Sequence, residues 1–109
     1  MNGNLFRDLP EIERGEAFNE LLSCANVRIE RILSSDTPEP VLYDQVQDEW
    51  VCLLRGEAEL WVNGETVRMG PGDYRFIPAR TPHRVVTTST EPRCLWLAVH
   101  IRRGPPPLG

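Results

Sequence analysis

Only two histidines, His83 and His100, occur in this chain of 109 residues. His83 closes a stretch, residues 43–83, that opens with a cluster of oxygen-bearing side chains: Tyr43, Asp44, Gln45, Asp48 and Glu49. A carboxylate and an imidazole brought to one site support three kinds of chemistry. They can donate O and N to a first-row divalent cation. They can form a hydrogen-bonded pair that lines a polar pocket without metal. They can pass a proton, because imidazole titrates near neutrality. Residue types alone leave all three open.

Composition removes other chemistries. All twelve basic residues are arginine, so no lysine is present to form a Schiff base. Cys24, Cys52 and Cys94 are odd in number, far apart and not in a C-x-x-C pair, which predicts neither a zinc cluster nor a disulfide framework, and a reduced cytoplasmic setting. Cys52, between Val51 and Leu53, reads as a small core residue. A net charge of −4 and a pI near 5.1 argue against a nucleic-acid partner. No apolar run is long enough for a membrane span, and the N-terminus lacks a basic-then-apolar leader, so no membrane partner is expected.

The elements that must position these residues are short β-strands. Val27–Leu33, Glu49–Arg55, Ala58–Val62, Thr66–Met69, Tyr74–Ile77, His83–Thr88 and Cys94–Ile101 are β-branched or aromatic runs broken by Gly, Pro and turn residues. Val41–Gln45 adds another short strand, and Asn63-Gly64 predicts a type I′ hairpin. Residues 1–26 read as an N-terminal arm with a helical turn around Ala17–Leu22. Residues 27–101 form the single β domain, and the Pro-rich tail 102–109 reads as disordered. About eight strands with almost no helix leave a sandwich or barrel. Within such a fold, Glu49 shares strand parity with Val51 and Leu53, so Glu49 and His83 read as polar residues facing inward.

On these residues the chain resembles the cupin superfamily, whose members are small jelly-roll barrels (a double-stranded β-helix). The first cupin motif looks like His-x-His, three or four residues, Glu, six residues and Gly; Glu49 followed by Gly56 matches its second half. The second motif looks like Gly, five residues, Pro-x-Gly, two residues and His, then three residues and Asn. Gly72, Pro78 and His83 match it, and Arg80 and Thr87 stand where that Gly and Asn fall. The two first-motif histidines are replaced by Tyr43 and Gln45, or by Leu42 and Asp44 in the other spacing. The resemblance implies an all-β cupin barrel over about residues 41–101. It also implies a divalent metal, such as Fe, Mn, Ni or Zn, at Glu49 and His83. Gln45, or alternatively Asp44, and water would complete the shell.

Such a barrel would bind a small molecule, or act as a metal-dependent dioxygenase or isomerase on a small organic acid or sugar; whether it is an enzyme stays open. His100, in phase with Trp96 and Ala98, reads either as a pocket residue or as an ordinary strand-end histidine. Tyr43 reads as packing or as part of the pocket mouth. Arg75 and Arg80 read as carboxylate binders or as solvated surface groups. Finally, Glu49–Arg55 is apolar on both faces. With Trp50, Cys52 and Leu54 opposite the inward side, a homodimer is expected to cover that outer face.

Overall fold

The structure, a computed structural model, describes residues 2–104. Its elements are β1 (Glu16–Cys24), β2 (Val27–Ser34), β3 (Asp48–Arg55), β4 (Ala58–Val62), β5 (Glu65–Met69), β6 (Tyr74–Ile77), β7 (His83–Thr88) and β8 (Cys94–Ile101). All pairings are antiparallel, and no helix occurs among the described residues. One sheet runs β1-β2-β8-β3-β6 and the other β5-β4-β7. The last strand therefore lies between the second and the third. That crossing makes an all-β jelly-roll barrel of what the sequence presents as a run of hairpins.

Alternation places the core. Val51 and Leu53 of β3, Ala58, Leu60 and Val62 of β4, and Trp96 and Ala98 of β8 are all buried and pack with Ile32, Met69 and Ile77. Every second residue faces this interior, as the pleat requires. Two glycine-dependent turns hold the strand register. Asn63 and Gly64 both have positive φ (46° and 91°), the type I′ geometry that the Asn-Gly pair predicts. Gly56 sits at φ 93°, and a Cβ there would lie 2.8 Å from Cys94 Sγ and 3.0 Å from Cys94 Cα. Only glycine allows β3 to end this close to β8.

Three local expectations differ from the structure. Ala17–Leu22 is not a helical turn but part of β1, paired along β2. A register shift between Glu20 and Leu22 interrupts the period-two pattern, which conceals the strand. Val41–Gln45 is not a regular strand: only Tyr43 bridges, to His83, and two flanking prolines lack donors. Of the tail, Arg102–Gly104 are held in place. The Arg102 amide donates to Asn26 O (2.8 Å), and the Arg103 guanidinium donates to both oxygens of Asp48 (2.7–3.1 Å). Residues 105–109 lie outside the described residues.

Candidate functional site at the polar end of the barrel

Register brings the polar residues together. Arg28 pairs with His100, and His100 pairs with Glu49, so three strands present these side chains in one row on the inner face. In the next row Glu30 lies opposite Ala98, whose single methyl group leaves room for the Glu30 side chain to turn toward His100. Across the barrel, His83 begins β7. Its backbone exchanges two hydrogen bonds with Tyr43 (2.8 and 2.9 Å), and its ring stacks on the Tyr43 ring at 5.6 Å between centroids. Glu49 and His83 are each 8% exposed and His100 is 5% exposed. All three line one interior cavity of about 70 Å³, with Glu16, Glu30 and Gln45.

The hydrogen bonds fix which imidazole nitrogens carry protons. His83 Nδ1 lies 2.9 Å from Thr81 O, a carbonyl that can only accept, so Nδ1 bears the hydrogen. His83 Nε2 then faces Glu49 Oε1 at 3.5 Å. His100 is arranged the opposite way. Its Nε2 donates to Glu30 Oε1 at 2.7 Å, and its Nδ1 lies 4.0 Å from Glu49 Oε1. Gln45 Oε1 is buried with no hydrogen-bond partner among the described residues.

The electrostatics follow from these contacts. Burial alone would lower the His83 pKa. The Glu49 carboxylate, the Thr81 carbonyl and Asp44 outweigh that effect and hold it above the ordinary histidine value. Burial pushes Glu30 upward, but its bonds to His100 and Arg28 more than compensate, and its pKa is lowered. Glu16 is the reverse case. Burial dominates, the nearby Glu39, Glu30 and Glu49 add to it, and the Ser34 hydroxyl that donates to Glu16 Oε2 at 3.1 Å does not offset them, so its pKa is raised. Burial among the same carboxylates also raises Tyr43.

The structure brings together Glu49, His83, Gln45, Tyr43 and His100. Asp44 is exposed and points elsewhere, to the Arg80 guanidinium at 3.2 Å. Arg80 has φ 61°, a left-handed conformation at the position where the cupin motif carries glycine, and its amide donates to Gln45 O. Arg75 is half-buried on the inner face beside Val51, and does not line this cavity. Glu16 and Glu30 are the residues that sequence reasoning missed. Glu30 had a usable signal, since it shares strand parity with the core residue Ile32. Glu16 had none, because its strand was not legible.

A small jelly-roll barrel with a carboxylate–imidazole cavity defines a class, and comparison with known proteins confirms it. The Cupin domain family matches residues 32–100, and the chain belongs to that family. It is similar over 94% of its length, at 38% identity and a TM-score of 0.82, to a Ralstonia eutropha JMP134 protein provisionally named a mannose-6-phosphate isomerase, 98% of which is covered. The TT1209 protein of Thermus thermophilus aligns with a TM-score of 0.82 at 21% identity, covering 94% of this chain and 98% of that one. KdgF from Halomonas sp. aligns at 0.74 and 19% identity, over 92% and 91%. These last two show the fold. No curated protein matches the chain. Among the described residues, no helix is long and apolar enough to cross a membrane.

Proposed function

We propose that this cupin binds a small molecule in its barrel cavity together with a divalent cation (Fe, Mn, Ni or Zn) held by Glu49, His83 and Gln45. The observation that carries the reading is the Gln45 side-chain oxygen, buried and unpartnered in the cavity that Glu49 and His83, whose Nε2 faces Glu49, also line. One carboxylate, one imidazole and one amide oxygen form an N/O donor set suited to a first-row divalent ion. Among the described residues no three His, Cys, Asp or Glu side chains form a ready-made ligand cluster. The Gln45 amide is the proposed third protein donor, and water or the ligand would supply the rest. Such a cation would polarise a bound oxygen of the ligand. Calorimetric titration with Mn²⁺ or Zn²⁺ should show one site, lost in His83→Ala and retained in Arg80→Ala. The absence of any site, or a site indifferent to His83→Ala, would reject the reading.

A second reading, isomerisation of a sugar or small acid, is favoured by the Glu30–His100 pair. A buried carboxylate that holds Nε2–H at 2.7 Å orients the ring and leaves Nδ1, between the Gln47 amide at 3.5 Å and Glu49 at 4.0 Å, to serve as a base. The provisional name of the Ralstonia relative agrees with such proton-transfer chemistry. Exchange of the C2 proton of mannose 6-phosphate with solvent deuterium, followed by NMR, distinguishes turnover from binding alone. Cys24, Cys52 and Cys94 are all unpaired, which supports a reducing, cytoplasmic setting.

The homodimer proposed from the sequence finds support on the outer face of the large sheet. There Tyr74 is 67% exposed and Phe76 51% exposed, beside Trp50, whose ring lies 5.5 Å from that of Tyr74. The N-terminal segment covers a different part of this face, where the Arg31 guanidinium donates to the carbonyls of Leu5, Arg7 and Asp8, and Arg55 lies over the Phe6 ring. A second copy is the cover proposed for the Trp50 patch. Light scattering should give a dimer mass that falls to a monomer in Trp50→Glu with the β circular dichroism retained; a wild-type monomer would defeat it.

A further inference from the structure

The interior cavity is small. At about 70 Å³ it has room for a cation, a few waters, each needing roughly 10–15 Å³, and one end of a ligand whose remainder extends outside it. Beside it lies a groove of about 280 Å³ at the barrel end, between the β1–β2 hairpin and residues 46–47. Its size approaches that of ordinary small-molecule sites, about 300 Å³ and upward. Among the described residues His100 alone lines both spaces. The two spaces differ in charge. Glu16, Glu30 and Glu49 line the cavity together with His83 and Arg84, whereas among the described residues the groove has Arg28 and Arg102 and no carboxylate, in a chain of net charge −4.

Resting on the small-molecule reading above, we propose that this groove is an anion subsite. Arg28 and Arg102 hold the carboxylate or phosphate of the ligand, whose other end reaches the cavity past His100. Arg28 is pinned by one bond, to Glu30 Oε2 at 2.9 Å, which leaves most of its five N–H donors for a ligand. Arg102 is anchored through its backbone amide, and its guanidinium makes no hydrogen bond or ion pair among the described residues. Two forked guanidiniums on one groove suit an oxyanion that accepts paired hydrogen bonds. The Gln47 amide, 3.5 Å from His100 Nδ1, adds a further polar group at the junction.

Calorimetric titration of the full chain with inorganic phosphate, and separately with malonate, tests the subsite and tells which oxyanion it prefers. Saturable binding of at least one at millimolar concentration is expected. Arg102→Gln, which removes no hydrogen bond or ion pair of that side chain among the described residues, should weaken it about tenfold or more with little change in melting temperature, the size of one lost charge-assisted bond. Arg28→Lys should also weaken it while keeping a cation for Glu30. His83→Ala should bind the anion as the wild type does, which separates this subsite from the metal reading. Failure of both anions to saturate, or wild-type affinity in Arg102→Gln, would overturn it.

Discussion

The two ends of one barrel interior differ more than its two sheets do. Within β3, Glu49 lines the cavity, while Leu53, four residues on and facing the same way, is fully buried in the core. In β8, His100 and the buried Trp96 are likewise four residues apart, and in β2 Glu30 and the buried Ile32 are two apart, with Trp96 and Ile32 forming part of the apolar wall of the cavity. Parity decides which residues face inward, and position along the strand decides whether that inward site is dry or charged. The dry end makes the charged end tolerable. Burying carboxylates and an unpartnered amide oxygen costs free energy, and the apolar packing further along the same strands offsets it.

The largest test of that division is at the dry end. Leu53→Ala should cost about 2–5 kcal/mol, because deletion of a fully buried side chain leaves a cavity in close-packed surroundings. Urea denaturation measures it, and a loss below about 1 kcal/mol would mean that the core is not the source of stability. At the charged end Glu30→Gln should cost less, about 1–3 kcal/mol, by weakening the bonds to His100 and Arg28.

The sharper test is pH. The Glu30 pKa is lowered in the folded state, so its contribution to stability is present above the unfolded carboxylate value, about 4.3, and is lost as pH falls through the lower folded value. Melting curves of Glu30→Gln should lack that acid-side loss. Glu16, with its pKa raised by burial, has the opposite sign. Its contribution is fully present below the unfolded value and is lost as pH rises through the raised folded value. Glu16→Gln should therefore raise the melting temperature at pH 7, by less than about 4–8 °C, and change it little at pH 4. Parallel pH profiles for the two variants would show that the cavity does not set these carboxylates apart.

The sequence by itself determined the strands whose pattern is locally complete. Ala58–Val62, Tyr74–Ile77, His83–Thr88 and Cys94–Ile101 begin and end where alternation and turn residues place them, and Asn63-Gly64 turns as its chemistry requires. The inward facing of Glu49 was legible for the same reason, since it shares a face with Val51 and Leu53. Tertiary structure alone decided which polar groups meet. β8 inserts between β2 and β3, so the polar groups around His100 are Glu30, 70 positions away, and Gln47 and Glu49, around the start of β3, and no local pattern encodes such distances. The same holds for Glu16, on a strand interrupted by a register shift, and for Gln45, whose unpartnered oxygen is a property of the space around it. Period-two alternation is a short-range rule, and it chooses the face. The partner across that face is chosen by the order of strands in the sheet, which is settled only when the whole chain packs.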